Sequence, residues 1–77
     1  MQIYPNPVNT VLTVMNSRYP ELVYRFYDVS GQQLLIGSLS NTMNTINVES
    51  YARGVYFLQL IDEASGDSIT KKIIVNR

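Results

Sequence analysis

No stretch of this chain holds an apolar period of 3.6 residues for as long as a dozen residues, so a helical core has no sequence from which to form. Apolar residues alternate instead, in short runs separated by Pro, Gly, Asn and Ser. The pattern predicts strands over 3–4, 11–15, 22–29, 32–37, 45–48, 55–62 and 69–75. Pro5 and Pro7 donate no ladder hydrogen bond, so the first strand is an edge or ends in a turn. Leu22, Tyr24 and Phe26 face the core, because Arg25 marks the other side. Ile46 and Val48 face inward, as do Tyr56, Leu58 and Leu60, and Ile69, Ile73 and Val75 share a face. Residues 38–44 read as a polar loop. Ala64-Ser65-Gly66-Asp67 reads as a hairpin turn. Seven short strands at intervals of about 8–12 residues predict an all-β antiparallel sandwich or barrel.

Size limits what such a sandwich can contain. At 77 residues and 8.8 kDa the chain is one domain. Surface scaling gives about 4,800 Å² exposed when folded, which leaves little interior for a cofactor pocket. Cysteine is absent, which removes disulfides, thiolate metal sites and a cysteine nucleophile. Histidine is absent too, removing the commonest general base and transition-metal ligand. Six basic residues balance six acidic ones, so the basic footprint of a nucleic-acid binder is missing. Hydrophobic content of 45% is too high for a disordered tail. No run of about 18 apolar residues predicts a membrane span, so direct membrane insertion is not expected. Met1 leads straight into Gln2-Ile3-Tyr4-Pro5, with no signal-peptide pattern. The chain reads as a piece of a longer protein.

The residues able to carry chemistry are few. Glu21, Asp28, Glu49, Asp62, Glu63 and Asp67 are the acids. Asp28 precedes Ser30-Gly31, where aspartate bonds nearby backbone N–H groups. Asp62, Glu63 and Asp67 surround one hairpin without calcium-loop spacing, so they read as solvated turn acids. Serine and threonine are plentiful but have no histidine partner. No catalytic residue, metal ligand or cofactor is expected. Tyr24 and Tyr56 read as core, while Tyr4, Tyr19, Tyr27 and Tyr51 are free to form a binding rim. Lys71-Lys72 reads either as a docking charge pair or as a guard on the aggregation-prone run Ile73-Ile74-Val75.

The order of three segments is more specific than any count. They are Ile3-Tyr4-Pro5-Asn6-Pro7 with Leu12-Thr13-Val14 behind it; Tyr27-Asp28-Val29-Ser30-Gly31-Gln32; and Gly54-Val55-Tyr56-Phe57-Leu58 followed by Thr70-Lys71-Lys72-Ile73-Ile74-Val75. Together they closely resemble the C-terminal sorting domain of type IX (Por) secretion cargo proteins from Bacteroidetes, over nearly the whole chain. Gln32 departs from the pattern, standing where the family often has Arg or Lys.

The resemblance implies an Ig-like sandwich of seven strands and a non-catalytic role at the C-terminus of a secreted protein. It implies an N-terminal passenger that reaches the periplasm and is carried to the cell surface or beyond. Its implied partners are the outer-membrane translocon and a sortase-like surface peptidase that removes the domain. The family residues carry over as Pro5, Asn6, Pro7, Asp28, Gly31, Gly54, Tyr56, Lys71 and Lys72. Physical roles are expected for several: the prolines guard an edge, Gly31 and Gly54 serve backbone geometry, and Tyr56 is buried with its hydroxyl bonded. The last strand and its lysines are expected to be the recognised surface, so removal of residues 72–77 should abolish export. Asp67-Ser68-Ile69 resembles the short O-glycosylation motif of the same bacteria, with Ser68 as the acceptor. The competing reading is a stand-alone adhesion, glycan-binding or protein-binding module.

Overall fold

The computed structural model describes residues 1–76. They form seven strands: β1 (Gln2–Tyr4), β2 (Val11–Met15), β3 (Leu22–Asp28), β4 (Gln33–Leu39), β5 (Met43–Asn47), β6 (Gly54–Asp62) and β7 (Asp67–Val75). A three-stranded sheet runs β1-β2-β5 and a four-stranded sheet runs β4-β3-β6-β7, with every pair antiparallel. Of the sandwich or barrel expected from the alternation, the all-β sandwich is the fold observed. Its exposed area is 4705 Å², close to the value expected from mass alone.

The core lies where the two sheets face each other. Leu12, Val14 and Ile46 come from one side, and Phe26, Leu58, Ile73 and Val75 from the other, all essentially without solvent contact. Such alternation drives one face of each strand out of water, at about 25 cal/mol per Å² of apolar area. Strand β6 lies between β3 and β7, so both its edges are paired and every second side chain is buried. This explains why it carries the clearest sequence signal.

Three expectations change. The loop placed over 38–44 shrinks to residues 40–42, because Leu39 is buried and keeps β4 paired to β3 at Leu22. Tyr24 is only half-buried: its ring swings across to Gly37 on β4, where an added Cβ would stand 2.7 Å from it. Ile69 shares the alternation of Ile73 and Val75 yet is 39% exposed. Asp67 and Lys71, on the same side of the strand, are exposed as well, so burial along β7 begins only at Ile73.

A bulge settles the ambiguous segment Gln32-Gln33-Leu34-Leu35. Phe26 pairs with Leu35 but Tyr27 pairs with Gln33, so Leu34 is an extra residue in the ladder. Both leucines then pack against the core from adjacent positions. Regular alternation would have sent one of them outward.

Candidate functional site

Strand order brings the separated motifs to one end of the four-stranded sheet. Asp28 pairs with Tyr56, and Tyr56 pairs with Ile73, so one row crosses three strands. The Tyr4-Pro5-Asn6-Pro7 segment closes the row from outside. Its two X–Pro peptide bonds are cis. Asn6 Nδ2 donates to the Lys72 carbonyl at 2.9 Å, and Ile74 N–H donates to Asn6 Oδ1 at 3.0 Å. Val8 continues the contact: its N–H donates to the Ile74 carbonyl, and the Asn76 N–H donates to the Val8 carbonyl. The amide of Asn6 carries one donor and one acceptor, as a peptide unit does, so it substitutes for a strand residue on the edge of β7.

Tyr56 holds the centre. Its ring stacks on Phe26 with centroids 5.2 Å apart, and Tyr51 tilts against both. Its hydroxyl donates to the Ala52 carbonyl at 2.6 Å. That bond ties the approach to β6 onto the strand, in the manner of a tyrosine corner in immunoglobulin sandwiches. Gly54, two residues earlier, has a φ of 159° and leaves a Cβ position 4.0 Å from the Tyr56 ring.

Asp28 organises the turn into β4. One carboxylate oxygen accepts from Ser30 N–H, Ser30 Oγ and Gln32 N–H at 2.9, 2.6 and 3.0 Å. The Ser30 hydroxyl is the chief cause holding the Asp28 carboxyl below its ordinary range. Partial desolvation opposes it, and the Gln32, Ser30 and Gly31 backbone bonds assist. Gly31 adopts a φ of 88°, a left-handed conformation that side-chain-bearing residues avoid.

The remaining candidates spread along β7. Lys71 and Lys72 are both exposed but point to opposite faces of the strand, Lys72 lying on the outer face in register with Phe57. Ser68 is exposed in register with Ile61. At the far end, Tyr19 donates to Asp67 Oδ2 at 3.2 Å beneath the Arg18 guanidinium. Partial burial raises the Tyr19 phenol above its ordinary value, Arg18 lowers it, and the Asp67 bond raises it further. Asp62 is buried rather than solvated and accepts from Ser65 Oγ. Among the described residues no three carboxylates or other metal-ligating groups gather.

Sequence reasoning missed two residues here. Val8 is fully buried, although its position between Pro7 and Asn9 carries no strand pattern. Asn16 is also buried, donating to the Tyr19 carbonyl and accepting from the Arg18 and Tyr19 N–H groups. Its place at the head of Asn16-Ser17-Arg18-Tyr19-Pro20 was the available signal.

Comparison with known proteins identifies the family of the chain. No solved structure matches the chain. Beta-agarase D of Zobellia galactanivorans is 32% identical over 76 residues, which is 99% of this chain and 15% of that protein. The chain thus spans about a seventh of the curated relative it matches. The family of secretion system C-terminal sorting domains matches residues 2–76, so this chain belongs to the type IX C-terminal sorting domains, which mark larger cargo proteins for secretion and are not catalytic units.

Proposed function

We propose that residues 1–77 act as one folded address label at the end of a longer secreted protein. The label brings its passenger to the type IX translocon of the outer membrane. A sortase-like surface peptidase then removes it, leaving the passenger at the cell surface or outside. Recognition is between proteins, and β7 with Lys71 and Lys72 provides part of the contact. One observation supports this most directly. The edge of β7 is capped by Asn6 and Val8 only over its last residues. By the same alternation Ser68 and Thr70 direct their backbone groups outward, and among the described residues neither has a partner there. An open edge beside exposed lysines suits strand addition by another protein. Ser68 on that stretch is also accessible for glycosylation.

A transfer test decides the matter. A signal peptide and fluorescent passenger are joined ahead of residues 1–77 and expressed in a Bacteroidetes host with or without a working translocon. Translocon-dependent signal at the surface or in the medium is expected. Periplasmic retention in both strains would overturn the proposal and favour a module that binds glycan or protein in its own right.

A further inference from the structure

The outer face of the four-stranded sheet has a composition that folding alone does not require. Cross-strand registers define its rows: Ser38–Val23–Ile61–Ser68, then Ile36–Arg25–Gln59–Thr70, then Gln33–Tyr27–Phe57–Lys72, then Val55–Ile74. No row contains an acid, and two contain a cation. Apolar side chains lie in every row, and Ile36 and Ile74 are 56% and 38% exposed. Arg25 stands at the centre. Its Nε is buried without a hydrogen-bond partner, and no carboxylate pairs with it among the described residues. A buried donor left unmade is unfavourable, and an arginine fork fits a carboxylate best. The outer face of the other sheet differs: Gln2, Tyr4, Val11, Thr13, Met15, Met43, Thr45 and Asn47 carry no charge with which to select a partner.

We propose that this Arg25-centred face is a docking platform for an extended acidic segment of a partner protein. The proposal rests on the address-label reading and gives its contact a place and a chemistry. Charge complementarity selects the acid, since the paired rows around Arg25 hold no acid, and Glu21 and Glu63 lie only at the end of the face beyond Val23 and Ile61. Spacing selects an extended segment. Val23, Arg25 and Tyr27 succeed one another at about 6.8 Å, the two-residue repeat of a strand. A segment reading apolar, any residue, acid, any residue, apolar places its acid over Arg25 and its apolar groups over the flanking rows. The aromatic pair Tyr27 and Phe57 then provides the buried area and Lys72 a second positive charge at the rim.

Two measurements test it. In the export reporter, R25E should reduce the exported fraction about tenfold, equivalent to ~1.4 kcal/mol. R25K should retain part of it, and T45E on the opposite sheet should export normally. Thermal unfolding of each variant separates lost docking from lost folding. If the unchanged domain exports and a folded R25E exports equally well, the platform is refuted while the address label stands. If the unchanged domain fails, the address label itself is refuted. In the second measurement, isotope-labelled domain is titrated with a blocked pentapeptide carrying isoleucine, threonine, glutamate, threonine and valine. Amide shifts should centre on Arg25, Phe57 and Lys72, and glutamine in place of glutamate should weaken binding about tenfold. Equal binding of the glutamine peptide would overturn the proposal. So would stronger shifts of the same face by polygalacturonate, which would make it a site for acidic glycans. A dimer abolished by R25E would assign the face to a second copy instead.

Discussion

Asn6 shows how one side chain can complete a sheet. Its amide bonds the Lys72 carbonyl and the Ile74 N–H across 66 and 68 residues of sequence. Asn6→Ala removes both bonds but leaves the edge open to water, so the loss should be about 1 kcal/mol by denaturant unfolding. Hydrogen exchange gives a sharper reading: the Ile74 amide should be protected in the parent and fast in the variant. Ser68 and Thr70, which face outward uncapped, should exchange quickly in both. Asp28 acts more locally and therefore has a pH signature. Its folded carboxyl titrates below the ordinary value, so its contribution is present above about pH 4 and is lost as pH falls through the lower folded value. The stability advantage of the parent over Asp28→Asn should shrink on acidification from about pH 4 downward, by thermal unfolding across that range. A constant difference would show that the charge of Asp28 contributes nothing. The two residues differed in legibility for the same reason. Asp28 bonds groups within four residues, so its role was visible in Asp28-Val29-Ser30-Gly31. The partner of Asn6 exists only once β7 has paired.

At the scale of elements, the hairpin of β3 and β4 carries most of the corrections. Its bulge places Leu34 and Leu35 together against the core, and no periodicity rule anticipates a residue added to one strand. The pairing of Tyr24 with Gly37 has the same origin, since only the register brings ring and glycine face to face. Gly37→Ala must push the ring aside. The contacting atoms lie at the free end of the side chain, so the cost should be about 1 kcal/mol. In a Tyr24→Ala background that cost should vanish, and a double-mutant cycle should give a coupling of the same size. Zero coupling would mean the glycine serves the backbone rather than the ring. Strands β2 and β6 needed no correction of this kind. Val11–Met15 was read with the bounds observed, and β6 gained only Gly54 at its start, because burial on alternate positions leaves a plain mark in sequence.

Over the whole molecule, the motif residues divide between folding and contact. Tyr56, Asp28, Gly31 and Asn6 each have a structural task at one end of the four-stranded sheet. Lys71 and Lys72 have none visible, being exposed on opposite faces of an edge strand. Truncation from residue 72 is thus a poor probe of recognition, since it also removes Ile73 and Val75 from the core. Exchange of both lysines for glutamate leaves that core intact. It should lower the exported fraction about tenfold while moving the unfolding midpoint little, because exposed charges contribute little to stability. Export at the parent level would remove the lysines from the contact.

Alternation and punctuation in the sequence determined the strand count, the all-β class, most of the core and the local turn around Asp28, because each rests on residues that are neighbours in the chain. The order of the three motifs carried the family. Only the tertiary structure decided that those motifs meet in one row, that Asn6 caps β7, and that Arg25 keeps a buried Nε without a partner among the described residues, in rows that hold no acid. Those facts depend on which strands become neighbours and in what register, and pairing across a sheet is settled by the burial of the whole core rather than by any segment read alone.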